Sequence, residues 1–66
     1  MMYYRRAWLR MGQIIAGGQS ENFNDLESLR KACPLEAPDG FEIIPQLSCY
    51  VQTDGAGNYN VLEVKN

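Results

Sequence analysis

Three arginines, Arg5, Arg6 and Arg10, stand among Tyr3, Tyr4 and Trp8 in the first twelve residues, a stretch that carries no acid. Arginines neutralise phosphates or grip carboxylates, and aromatic faces stack on unpaired bases or fill a partner's pocket. These six residues are therefore the candidate contact surface of the chain. In an extended backbone Tyr4, Arg6, Trp8 and Arg10 share one face. Three uses compete for the set. Trp8 and one tyrosine can pack a small core while the arginines guard a sheet edge; the set can bind a protein; or it can bind nucleic acid. The charge balance weakens the third. After Gly12 eight acids face Arg30, Lys31 and Lys65, a net of −5 against +3 in the first twelve residues, giving −2 overall and a pI near 4.8. Bulk attraction to nucleic acid or to an anionic membrane calls for a basic domain, so any such contact must be local.

Catalytic equipment is sparse. There is no histidine to act as a general base, and no acid pair stands in a recognisable frame. With Cys33 and Cys49 as its two cysteines, the chain has no four-ligand Cys/His zinc set. A nucleophilic cysteine needs a neighbouring base or a helix N-terminus, whereas Cys33 falls where a helix should end and its dipole opposes a thiolate. A disulfide between the two, sixteen residues apart, would close a loop worth about 3 kcal/mol in an oxidising compartment. No signal peptide is recognisable, however, and reduced, buried thiols are the expectation. Glu21, Asp25, Glu27, Glu36, Asp39 and Glu42 are scattered acids rather than a block. Asp54-Gly55-Ala56-Gly57-Asn58 lacks the acids and the downstream glutamate of a calcium loop. No metal or cofactor is expected, and the chain is read as a non-enzyme.

The elements that must position these residues follow from pattern and punctuation. From Tyr3 to Ala16 a helical face (Tyr4, Ala7, Trp8, Met11, Ile14, Ile15) competes with strand alternation. The helix would begin without a cap, with three arginines at the positive end of its dipole and Gly12 in its interior. Strands over about Tyr3–Arg10 and Gln13–Ala16, reversing at Met11-Gly12, make sense of the glycine and are favoured. A Gly17-Gly18 loop follows. Asn24, three residues before Glu27, then reads as a helix cap, with Leu26, Leu29 and Cys33 as the apolar stripe and Pro34 as the stop. Pro38-Asp39-Gly40 suits a turn, and Phe41–Ile44 reads as a short strand bent by Pro45. Leu47, Cys49 and Val51 alternate with polar residues and, after the loop at 54–58, so do Leu62 and Val64, predicting a hairpin whose apolar side faces the helix.

The expected fold is therefore α+β, a small antiparallel sheet of about four strands with one helix on one face, in the order β-β-α-(β)-β-β, as a single domain over residues 1–66. A chain this short buries only about 60% of its unfolded surface, so its stability margin is thin. One helix cannot cover a wide sheet, and a solvated, partly apolar face or edge should remain. No apolar run suits a membrane span, and a cytoplasmic location is expected. In size and lack of catalytic equipment the chain resembles the short accessory proteins of bacteria and their phages, which implies an accessory or regulatory role. The expected activity is binding, either to a protein partner or to itself as a homodimer, with nucleic acid as the alternative partner.

Overall fold

The computed structural model describes residues 2–15, 20–38 and 40–65. Its elements, in chain order, are β1 Tyr3–Arg10, β2 Gln13–Ile15, α1 Leu26–Ala32, β3 Leu47–Thr53 and β4 Tyr59–Lys65. The four strands form one antiparallel sheet in the order β2-β1-β3-β4, with the helix inserted between β2 and β3. This is the α+β architecture expected from the pattern. The first segment is extended, as the glycine implied. Met11 and Gly12 both take positive φ, 53° and 77°, the two-residue hairpin turn whose twist matches the strands on either side. Ala16 and the Gly17-Gly18 loop lie outside the described residues.

The strand expected at Phe41–Ile44 does not form. The segment runs as turn and bends between α1 and β3, with Phe41 and Ile43 each 97% exposed. Pro45 has no N–H to give a ladder, and Pro38 stands close on the other side, so the apolar run between them is too short to pair.

The helix starts one residue later than the asparagine suggested. Asp25, not Asn24, is the cap: its extended backbone (φ −144°, ψ 156°) lets Oδ1 accept the Ser28 N–H at 2.9 Å, while Oδ2 accepts the Ser28 hydroxyl at 2.9 Å. Ser28 offers both a backbone and a side-chain donor three residues on, and Glu27 instead meets Arg30 at 3.0 Å. The far end closes where Pro34 forces it to, with the Cys33 N–H donating to the Leu29 carbonyl at 2.8 Å. Leu29 is fully buried and Leu26 and Cys33 are half-buried, so the expected stripe is the packed one.

Register assigns the sheet's two faces. Tyr3, Arg5, Ala7 and Leu9 lie with Thr53, Val51, Cys49 and Leu47 on one side; Tyr4, Arg6 and Trp8 lie with Gln52, Tyr50 and Ser48 on the other. The alternation of β3 is the expected one, but in β4 the bulge sets Val61 rather than Leu62 opposite Val51, and the helix takes the other side of the sheet. The Tyr50 hydroxyl donates to the Cys33 carbonyl at 3.0 Å, Arg30 reaches Glu63 at 3.3 Å, and Arg6 makes a long 3.5 Å contact with the Pro34 carbonyl. Cys49, Val51 and Val64 therefore face away from α1. They form a separate cluster with Ala7, closed enough that Ala7, Cys49 and Val51 are fully buried, with Leu9 and Ile14 packed beside them. Leu62 sits at a bulge opposite Val51 and is 42% exposed. The physical reason is that tyrosine is long enough to reach over its neighbours and hold a helix terminus, whereas Ala7 and Cys49 offer that face only short side chains.

Removing the Leu29 side chain (Leu29→Ala) should cost about 2–5 kcal/mol, as much as a core of this size supplies, about 3–5 kcal/mol. Circular dichroism at room temperature is expected to show a largely unfolded variant. The acid limb should report the two capped carboxyls. The Asp25 carboxyl is held below its ordinary value of 3.8 by the Ser28 amide and then the Ser28 hydroxyl, and that of Asp54 by the Asn58 side chain and then the Ala56 amide. Because both are depressed on folding, their contribution is complete above the unfolded value and is lost as pH falls below 3.8 through the folded values. Carboxyl titration by NMR should place both midpoints below 3.8, and an ordinary midpoint at either would contradict these contacts.

Candidate functional site

Strand alternation divides the aromatic and basic segment. Tyr3 and Arg5 project on the Cys49 side, while Tyr4, Arg6, Trp8 and Arg10 project on the helix side. The six residues thus form two surfaces rather than one. Because β1 lies inside the sheet, with β3 on one edge and β2 on the other, all of them except Arg10 are half-buried.

The two inner arginines are built into the fold. Arg5 Nη2 donates to the Ser20 carbonyl at 2.7 Å. Arg6 lays its guanidinium over the Trp8 ring, 5.6 Å from the centroid, a cation–π distance. The Nε atoms of both arginines are buried without a hydrogen-bond partner, as is the hydroxyl of Ser48, the register partner of Trp8. A guanidinium so placed is bracing backbone and ring, and it presents little of its fork to a phosphate.

Trp8 and Arg10 do meet other residues at a surface. The connector between α1 and β3 crosses the helix side of the sheet near the end of β1. Glu36, Pro38, Glu42 and Ile44 line a groove of about 390 Å³ whose opposite side is formed by Trp8 and Arg10. Phe41 and Ile43, on either side of Glu42 in sequence, are almost wholly exposed, and Ile44 is partly so. The sequence reading missed this site because it spent Phe41–Ile44 on a strand. The signal was a four-residue segment with three large apolar side chains, Phe41, Ile43 and Ile44, bracketed by Pro38-Asp39-Gly40 and Pro45, a spacing that displays side chains more readily than it pairs backbone.

The scattered acids divide in the same way. Asp25 caps the helix, Glu27 pairs with Arg30, and Glu36 and Glu42 meet at the groove. Asp39 lies outside the described residues. The loop at 54–58 is organised by Asp54, whose Oδ1 accepts the Ala56 amide at 2.8 Å and whose Oδ2 accepts from the Asn58 side chain at 2.7 Å. Among the described residues no group of three or more histidine, cysteine or acidic side chains is placed to hold a metal ion, and no helix is long and apolar enough to cross a membrane.

Both cysteines are free thiols. Cys49 is buried in the Ala7 cluster, where desolvation pushes its thiol pKa up and its S–H donates to the Ala7 carbonyl at 3.4 Å. Cys33 lies at the helix terminus on the other side of the sheet, under Tyr50. Native protein should accordingly show one thiol reactive toward a disulfide reagent and a second that reacts only on unfolding. Two fast thiols would contradict the placement of Cys49. Set beside known proteins, the chain matches no family model, no curated protein and no solved structure.

Proposed function

We propose that this chain is a small non-enzymatic protein-binding module whose contact surface is the Trp8 groove and the connector beside it. The observation that carries this reading is the display of Phe41 and Ile43, each 97% exposed, next to a concave site with an indole in its wall. A domain with so little core has every reason to bury large apolar side chains, and leaving two of them in water favours a partner that covers them. Aromatic and arginine side chains at a groove are also the residues that dominate binding energy at protein interfaces.

The groove selects the kind of partner. Glu36 and Glu42 outnumber Arg10, so the site carries a net negative charge beside an apolar wall. The complementary occupant is a protein segment that brings an apolar anchor flanked by a lysine or arginine. Nucleic acid is disfavoured by the same balance, since its phosphates would meet two carboxylates.

A displayed library of random peptides, panned against the folded protein, tests this reading. Enrichment of sequences pairing an apolar anchor with a basic neighbour is expected, with binding weakened by salt. Substitution of the exposed residues (Phe41→Ser with Ile43→Ser) or reversal of the rim charges (Glu36→Lys with Glu42→Lys) should abolish it while leaving the melting curve in place. Failure to enrich any such class, or binding indifferent to both variants, would sink the proposal.

A further inference from the structure

We propose that the outer edge of β4 pairs with β4 of a second copy of this chain, antiparallel about a two-fold axis at Val64. The sheet treats its two edges differently. On the β2 side, β2 is three residues long, and the rest of the β1 edge is sealed by the chain that follows. Tyr4 and Phe23 exchange backbone bonds of 2.8 and 2.7 Å, and the Arg6 amide and carbonyl are both taken by Ser20, through its hydroxyl at 2.8 Å and its N–H at 3.0 Å. On the other side, β4 is seven residues long, lacks proline, and pairs among the described residues with β3 alone. Tyr59, Val61 and Leu62 along it are each about 40% exposed. An open edge of this kind is a template for another strand.

The residues of the edge point to a second copy as the occupant. The bulge leaves Leu62 outside the register and divides the strand into two regular stretches, Tyr59–Val61 and Glu63–Lys65, of which the second carries one charge of each sign. Glu63 and Lys65 share the helix side, opposite Tyr50 and Ser48, while Val64 lies opposite Cys49 on the other side, packed against the Ala7–Cys49–Val51 cluster. Antiparallel pairing centred on Val64 sets Glu63 of each copy across from Lys65 of the other. It also joins the two Val64 side chains, so the apolar cluster continues across the axis. Parallel, in-register pairing would set like charges opposite one another. Because Glu63 already receives Arg30 at 3.3 Å, the copy's Lys65 completes a three-charge network on each side. The contact is isologous, as a closed dimer requires, and yields a continuous eight-stranded sheet.

Sedimentation across a wide concentration range tests the pairing, using wild type, Lys65→Glu, and the double swap Glu63→Lys with Lys65→Glu. The wild type should dimerise. Lys65→Glu sets like charges opposite at both ends of the axis and should weaken association about tenfold or more with circular dichroism unchanged, and the double swap, which returns opposite charges across the axis while giving up the Arg30–Glu63 contact, should restore part of it. In a mixed sample of labelled and unlabelled wild type, isotope-filtered NMR should show contacts between Val64 methyls of different copies. A wild type that stays monomeric, a dimer indifferent to Lys65→Glu, a swap that restores none of the association, or absence of the Val64 contact would each overturn the proposal. None of these variants touches the Trp8 groove, so the outcome leaves the peptide-binding test independent.

Discussion

The pairing of β1 with β3 is the constraint on which everything else in this protein rests. Two hairpins, β1–β2 and β3–β4, close locally over short turns, but they become one sheet only where Tyr3–Leu9 meets Leu47–Thr53 along seven register pairs. Its centre is Ala7 opposite Cys49, joined by a thiol–carbonyl bond across 42 residues of chain. Closing so long a loop costs entropy before any contact repays it. Small side chains at the crossing let Val51, Leu9, Ile14 and Val64 pack over it. The helix then hangs from the same unit through Tyr50 and Arg6.

That pairing also decides what the aromatic and basic segment can do. As an interior strand, β1 must satisfy its neighbours on both edges and both faces, and its arginines are drawn into bracing Ser20, Pro34 and Trp8. What the segment leaves at a groove lies toward the end of β1, where Trp8 and Arg10 meet the connector. There the acids rather than the arginines are in the majority. A segment that resembles a phosphate-binding strip in one dimension becomes, in three, one wall of a groove in which carboxylates outnumber guanidinium groups.

The connector and β4 express the same shortage. A sheet of four strands served by a seven-residue helix cannot cover all of its apolar residues, and most of the surplus among the described residues collects in two places. One is the segment between Pro38 and Pro45, where proline denies the backbone a ladder and leaves Phe41 and Ile43 in solvent. The other is the outer edge of β4, which among the described residues pairs with β3 alone, whereas Ser20–Phe23 lines the edge of β1.

Much of this was legible in one dimension, for reasons that are local. Gly12 marked the first reversal, Pro34 the end of the helix, and period-two alternation the C-terminal hairpin, because a turn, a stop and a pleat depend on residues within a few positions of each other. The cap was displaced by one residue, since Asn24 and Asp25 are both competent and only the geometry of Ser28 separates them. Phe41–Ile44 has strand residues but no strand, because pairing needs a neighbour and the sequence cannot say where neighbours are. The side of the sheet taken by the helix, the bracing roles of Arg5 and Arg6, and the meeting of Trp8 with Glu36 and Glu42 were decided by tertiary structure alone. By itself the sequence determined the four strands and the helix that form, their order and the partition of β3 into two faces. Which face meets the helix depends on contacts between residues far apart in the chain, and no local pattern encodes them.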